Sequence, residues 1–170
     1  MPTTPKGAGF DEYVAARGTA LLRFAYLLTG DYHLAEDLLQ EALVKVHRRW
    51  SRLYHDEQPT AYVRKAILRQ YLSWRRRRSS GEVPSAIAPD GPAPGDHAER
   101  LADRSALWQA LAGLPRQQRA VLVLRFYEDL DDDAISRLLA CSTVTVRSHA
   151  SRGLAKLRVS AQTLHRGEVR

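Results

Sequence analysis

Two sets of residues in this sequence have the types and spacing to do chemistry on an anion. The first lies between residues 59 and 80, where Arg64, Lys65, Arg69 and the run Arg75, Arg76, Arg77, Arg78 stand without a single carboxylate. Tyr62, Tyr71 and Trp74 are interleaved with them, and Trp50 and Tyr54 lie just upstream. Cationic side chains track phosphates and aromatic faces stack unpaired bases, so the mixture suits an opened nucleic-acid strand. Core packing is expected to claim at least half of these aromatics. The arginine run is harder to explain as a solvated helix end, because consecutive like charges repel unless an anion approaches. The second set is Thr145, Ser148, His149, Arg152 and Lys156, at i, i+3, i+4, i+7 and i+11, with Arg147 on the flank. On a helix these share one face, and such a row can reach base edges and phosphates in a major groove.

Other candidate chemistry is weaker. Asp131, Asp132 and Asp133 resemble half of a metal site, but they open a helix, where carboxylates cap N–H groups and complement the dipole. The histidines (33, 47, 55, 97, 149 and 165) show neither i, i+4 pairing nor cysteine partners, so no metal centre is expected. No glycine-rich phosphate loop is present. Cys141 is the only cysteine, which excludes an internal disulfide and fits a reducing cytoplasm. These observations predict a protein that is not an enzyme and needs no cofactor.

The elements that position the two basic sets follow from periodicity and breakers. The chain has 170 residues and a net charge of +7, room for two small domains of roughly 70 residues each. The charge is uneven: 59–80 carries +7 and 137–170 carries +6, while 81–103 and 125–136 carry −4 each. The stretch EVPSAIAPDGPAPG (82–95) supports neither helix nor strand, because its prolines fix φ and lack donors. It is read as a flexible linker, 81–97, between domains at 8–80 and 98–162. Both domains read as all-α. Phe10, Tyr13, Val14, Leu21, Phe24 and Leu28 mark one helix, stopped by Gly30 and followed by Asp31 as a cap. Leu34, Leu38, Leu39, Ala42, Leu43, Val46 and Trp50 form a second apolar stripe. SRLYHDEQ (51–58) reads as a polar loop, and Pro59 opens a third helix.

In the second half a helix is expected from His97 to Gly113, with Leu107 and Leu111 on its apolar side. The next begins at Pro115 and turns Val121, Leu122, Leu124 and Phe126 inward. Asp131 caps a short helix, Ala140 and Cys141 make a tight turn, and Ser142 caps the last helix, which is expected to end near 162. A short helix, a tight turn and a second helix with one basic face is a helix-turn-helix. No apolar stretch approaches a membrane span of roughly 20 residues, and no membrane contact is expected. The second half alone would also suit a repressor or a response-regulator output module, which predicts tight duplex binding without other proteins.

The segments LLTGDYHLAEDLLQEALVKVHRRW (27–50) and PTAYVRKAILRQYLSWRRRR (59–78) resemble conserved region 2 of bacterial sigma factors. LAGLPRQQRAVLVLRFYEDLDDDAISRLLACSTVTVRSHASRGLAKLR (111–158) resembles region 4. Two such blocks joined by a short linker resemble the extracytoplasmic-function (group IV) sigma factors, and the opening FDEYVAARGTALLRFAYLLTGD resembles their SigE-type actinobacterial subgroup. The resemblance implies a sigma region 2 helical bundle and a sigma region 4 helix-turn-helix. It implies core RNA polymerase as partner, docked through its largest subunit's clamp helices on Asp37, Leu38, Gln40 and Glu41. It places Trp50, Tyr54, Tyr62, Arg64, Lys65, Arg69, Tyr71, Trp74, Arg75 and Arg76 at the −10 element, where a base is pulled from the stack. It places Thr145, Arg147, Ser148, His149, Arg152 and Lys156 at the −35 element. The linker, by the same resemblance, threads toward the RNA path. An anti-sigma factor is a further candidate partner. Departures from the family pattern are Ala134 in place of Glu, Ala140 in place of Gly, and Val144-Thr145-Val146 in place of Gly-Thr-Val. His149 stands where a second basic residue is common, and it would bind a phosphate only when charged.

Overall fold

The computed structural model describes residues 9–56, 58–73 and 107–167. The chain divides into two compact units, residues 1–85 and 86–170. Every described element is helical, as the periodicity predicts. The expected linker, the arginine run with Trp74, and the first part of the helix expected from His97 lie outside the described residues.

In the first unit α1 spans Phe10–Thr29 and α2 spans Tyr32–Arg48. Their junction is built by Gly30, at φ 68°, whose N–H bonds to the Tyr26 carbonyl, and by Asp31, whose side chain accepts from the Leu34 N–H at 3.1 Å. Glycine takes that left-handed φ without the clash a Cβ would bring. α3 spans Trp50–Asp56 and α4 spans Pro59–Ser73. α4 packs on both α1 and α2. The core is made by Tyr13, Phe24 and Leu28 of α1, Leu39, Ala42 and Val46 of α2, and Val63, Ile67 and Leu68 of α4, all buried.

The expected loop at 51–58 is instead mostly helix. Leu53 is buried, which anchors the segment from below. The Arg49 carbonyl accepts from both Arg52 and Leu53 N–H groups, and Trp50 and Tyr54 stack one turn apart with centroids 6.0 Å from each other. A single buried leucine and one aromatic pair thus outweigh a polar composition, a tertiary effect that local pattern does not carry.

In the second unit the described residues start with a helical segment over 107–112. α5 spans Arg116–Leu122 and runs on into a π-helical turn over Val123–Tyr127. α6 spans Asp132–Leu139 and α7 spans Thr143–Gly167. α7 packs on both α5 and α6. Buried Val121, Leu124, Ile135, Val146 and Ala150 form its centre. Gly153 lets α7 approach α5, since a Cβ there would sit 2.9 Å from Leu122 Cδ1.

Three expectations change here. Phe126 is 65% exposed rather than buried, because the π-helical turn carries more residues per turn and shifts it off the apolar face. Leu107, expected on the buried side, is 49% exposed. α7 continues past 162 to Gly167, because no proline interrupts it and the Ser160 and Thr163 hydroxyls bond back to carbonyls one turn earlier.

Candidate nucleic-acid interface

The basic face of the second unit rests on a tightly specified turn. α6 starts on Asp131, whose Oδ1 accepts from the Ala134 N–H at 2.7 Å. It ends on Ala140, at φ 52°, whose N–H bonds to the Ser136 carbonyl. The Cys141 N–H shares the same acceptor at 3.1 Å. α7 then starts on Ser142, whose Oγ accepts from the Thr145 N–H at 3.1 Å and pairs with the Thr145 hydroxyl at 2.9 Å. The caps meet within three residues, so the turn sets where α7 starts relative to α6.

From that start, Arg147, Arg152 and Lys156 are exposed, while Thr145, Ser148 and His149 are partly covered. The predicted row thus mixes exposed cations with half-covered polar groups, and Arg147 stands on its flank. His149 Nδ1 is shielded from solvent and has no hydrogen-bond partner among the described residues. Arg147 Nε donates to Asp132 Oδ2 at 3.1 Å, and Arg125 Nη2 donates to Asp132 Oδ1. The Arg125 guanidinium, joined by that of Arg147, holds the Asp132 carboxyl below its ordinary range. Asp132 and Arg125 are absent from the residues predicted for this face. Their partnership spans seven residues around a turn and then fifteen residues to Arg147, separations no local pattern encodes.

In the first unit the predicted −10 residues divide. Lys65 and Arg69 are exposed one turn apart on α4, and Tyr62 and Arg64 are partly covered. Tyr71 is buried and belongs to the core. Trp50 and Tyr54 come together in an aromatic cluster: Trp50 lies 5.5 Å from Phe10, edge to face, and 5.3 Å from Tyr13, and Phe10 also meets His47 at 4.8 Å. Tyr13 is fully buried, and its hydroxyl meets the Thr60 hydroxyl at 3.2 Å, tying α1 to the start of α4. Burial pushes the Tyr13 phenol up. Trp74, Arg75 and Arg76 lie outside the described residues.

The residues predicted to dock on another protein sit on α2. Asp37, Gln40 and Glu41 are exposed together, and Glu41 also pairs with Lys45 at 3.3 Å. Leu38 turns the other way, at 6% exposure, and supports the core instead. Val44, 50% exposed, shares the face of Asp37, Gln40 and Glu41 at helical spacing. The signal that could have found it is its position seven residues after Asp37. Among the described residues no group of three metal-ligating side chains occurs, and no helix is long and apolar enough to cross a membrane.

Comparison with known proteins agrees with this division. The profile for Sigma-70 region 2 matches residues 14–81, and that for Sigma-70, region 4 matches residues 104–157. The RNA polymerase sigma-E factor of Streptomyces coelicolor is 38% identical over 149 residues, covering 88% of this chain and 84% of that one. The ECF RNA polymerase sigma factor SigE of Mycolicibacterium smegmatis is 31% identical, over 88% of this chain and 60% of that one. Among solved structures, the sigma factor RpoE from Bartonella quintana, crystallised with the anti-sigma factor NepR, has the same fold. It matches with a TM-score of 0.69 at 21% identity, over 90% of this chain and 96% of that chain. Two region profiles in order and a relative aligned along most of both chains place this protein in the extracytoplasmic-function group of the sigma-70 family, the RNA polymerase sigma factors that direct promoter-specific initiation.

Proposed function

We propose that this sigma factor splits promoter recognition between its two units. The second unit reads the −35 duplex through Thr145, Arg147, Ser148, His149, Arg152 and Lys156. The first holds the −10 strand, with Trp50, Tyr54 and Tyr62 offering ring faces and Arg64, Lys65 and Arg69 its phosphate contacts. Trp74, Arg75 and Arg76 are assigned to the same −10 contact. Asp37, Gln40 and Glu41, with Val44 beside them, dock on the clamp helices of the polymerase largest subunit. Leu38 and Tyr71 act from within, by shaping the faces their neighbours present. The segment 81–97 tethers domains at 8–80 and 98–162.

The protein makes and breaks no bond. It works by differential binding: contacts made only with the correct duplex and with the unpaired strand lower the cost of opening the promoter. Work of this kind belongs in the cytoplasm, where polymerase and chromosome meet. An anti-sigma factor is a proposed regulator, since RpoE of Bartonella quintana was crystallised with one.

The observation that carries this reading is the capped α6–turn–α7 unit with Arg147, Arg152 and Lys156 exposed on one helix. Core polymerase reconstituted with this chain is expected to initiate from a subset of genomic promoters. Arg152→Ala is expected to weaken binding to templates carrying the −35 element by roughly tenfold, as a lost base or phosphate contact does. Equal loss on templates lacking that element contradicts the assignment.

A further inference from the structure

The acidic block at 125–136 sits beside a surface meant for a polyanion, and helix capping explains only part of it. Asp131 is a cap; Asp132 is not. Its carboxylate occupies the first turn of α6, where the helix dipole favours negative charge. One oxygen is anchored by Arg125 and the other faces α7 and receives Arg147 Nε. Arg147 is 66% exposed at the side chain, whereas Asp132 and Arg125 are 23% and 27% exposed. The carboxylate is thus the sheltered, fixed member of the pair, and the guanidinium is the exposed one.

We propose that Asp132 is a positioning residue of the −35 interface: by holding Arg147 through Nε, it aims the free end of that guanidinium at a base edge and sets sequence discrimination there. The proposal rests on α7 being the −35 reading helix. A guanidinium offers five N–H donors in a planar fork. With Nε committed to Asp132, the two terminal amino groups remain as a parallel pair, the geometry that matches two adjacent acceptors such as O6 and N7 of guanine. An untethered arginine samples many rotamers and settles equally well on any nearby phosphate, which carries no sequence information. Asp132 also places a negative charge against the backbone, which lowers binding to every sequence alike. Both effects raise selectivity at the expense of raw affinity.

The test uses holoenzyme assembled from core polymerase and the full chain, on promoter templates randomised through the −35 element, with bound templates sequenced at two salt concentrations. Arg147→Ala identifies the position that Arg147 reads. Asp132→Ala is expected to reduce discrimination at that one position by roughly tenfold, with mismatched templates bound as well as or better than by wild type. The double variant is expected to match Arg147→Ala alone, because the two act as one unit. Arg125→Met, which loosens the anchor and leaves the α7 face untouched, is expected to give a smaller loss at the same position. Should Asp132→Ala fold poorly, Arg125→Met and its double with Arg147→Ala decide the matter by the same position-specific readout. Wild-type discrimination in both Asp132→Ala and Arg125→Met, alongside an altered Arg147→Ala, overturns the proposal and leaves the −35 reading standing. So does an equal loss at all positions, the mark of a merely structural role. Unchanged −35 preference in both Arg147→Ala and Arg152→Ala overturns the −35 reading itself.

Discussion

On the proposed reading, the two units solve nucleic-acid contact in opposite ways. In the first, ring faces are stored in a partly buried cluster around Trp50, and exposed Lys65 and Arg69 stand on α4. In the second, few aromatics take part; instead short polar bonds fix the turn, and a carboxylate holds one of the cations. An opened strand is flexible and presents flat bases, so bulk and adaptable charge suit it. A duplex groove is rigid and presents a pattern of donors and acceptors, so a helix with restricted side chains suits it. The cost of the second arrangement is strain. Ala140 occupies a left-handed φ of 52° with a Cβ in place, whereas the corresponding turn in the first unit uses Gly30 at 68°.

That contrast can be broken most severely through the smaller core. Ile135 is fully buried and is the only fully buried residue of α6 among the described residues. Ile135→Ala is expected to cost about 2–5 kcal/mol. Urea unfolding read by a probe on α7 should show the loss, while a probe on α4 keeps its midpoint. A matched shift at both probes would mean that the units unfold as one. The turn comes next. Ala140→Gly is expected to raise the stability of the second unit by about 0.5–1 kcal/mol, relief of left-handed strain less the extra freedom glycine has when unfolded. Gly30→Ala should move the first unit in the opposite direction by a similar amount, seen as shifts in denaturant midpoint.

The smallest expected effects are those of pH, and they separate the units by sign. Tyr13 has its phenol pushed up by burial. Its contribution is whole below about 10 and is lost as pH rises through the folded value, so the first unit weakens on the alkaline side. Tyr13→Phe should reduce that alkaline limb and leave the part from Tyr32, whose phenol the Glu36 hydrogen bond pushes up. Asp132 has its carboxyl held down by Arg125 and Arg147. Its contribution is whole above about 3.9 and is lost as pH falls through the folded value, so the second unit weakens on the acid side. Asp132→Asn should flatten that limb. Thermal melts across pH, followed at each unit, check both; limbs that appear in the wrong unit, or are unchanged in these variants, contradict the assignment.

Much of this was legible from residue order. The Gly30–Asp31 junction, the Asp131 and Ser142 caps and the Ala140 turn are local devices, set by a few neighbouring side chains, and each stands where its signal places it. The exposure of Arg152 and Lys156 on α7 follows from period 3.6 alone. Residues 51–56 were not legible as helix, because the burial of Leu53 arises only once the segment packs on α2 and α4. Phe126 turned outward because a π-helical turn inserts one residue into the register, and nothing in the local spacing announces it. Leu38 and Tyr71 lie within functional-looking segments yet face inward, since a motif marks a stretch of chain and not a direction.

Residue types, periods and breakers by themselves determined an all-α chain in two parts, two basic blocks with different partners in view, and the helix-turn-helix that carries one of them. These are short-range consequences of helix geometry, capping and charge. Tertiary structure alone decided which aromatics gather around Trp50, which of the proposed docking residues turn away from solvent, and that Asp132 holds Arg147. Those depend on side chains far apart in sequence meeting at fixed distances, and a distance across a packed core is a property of the whole fold.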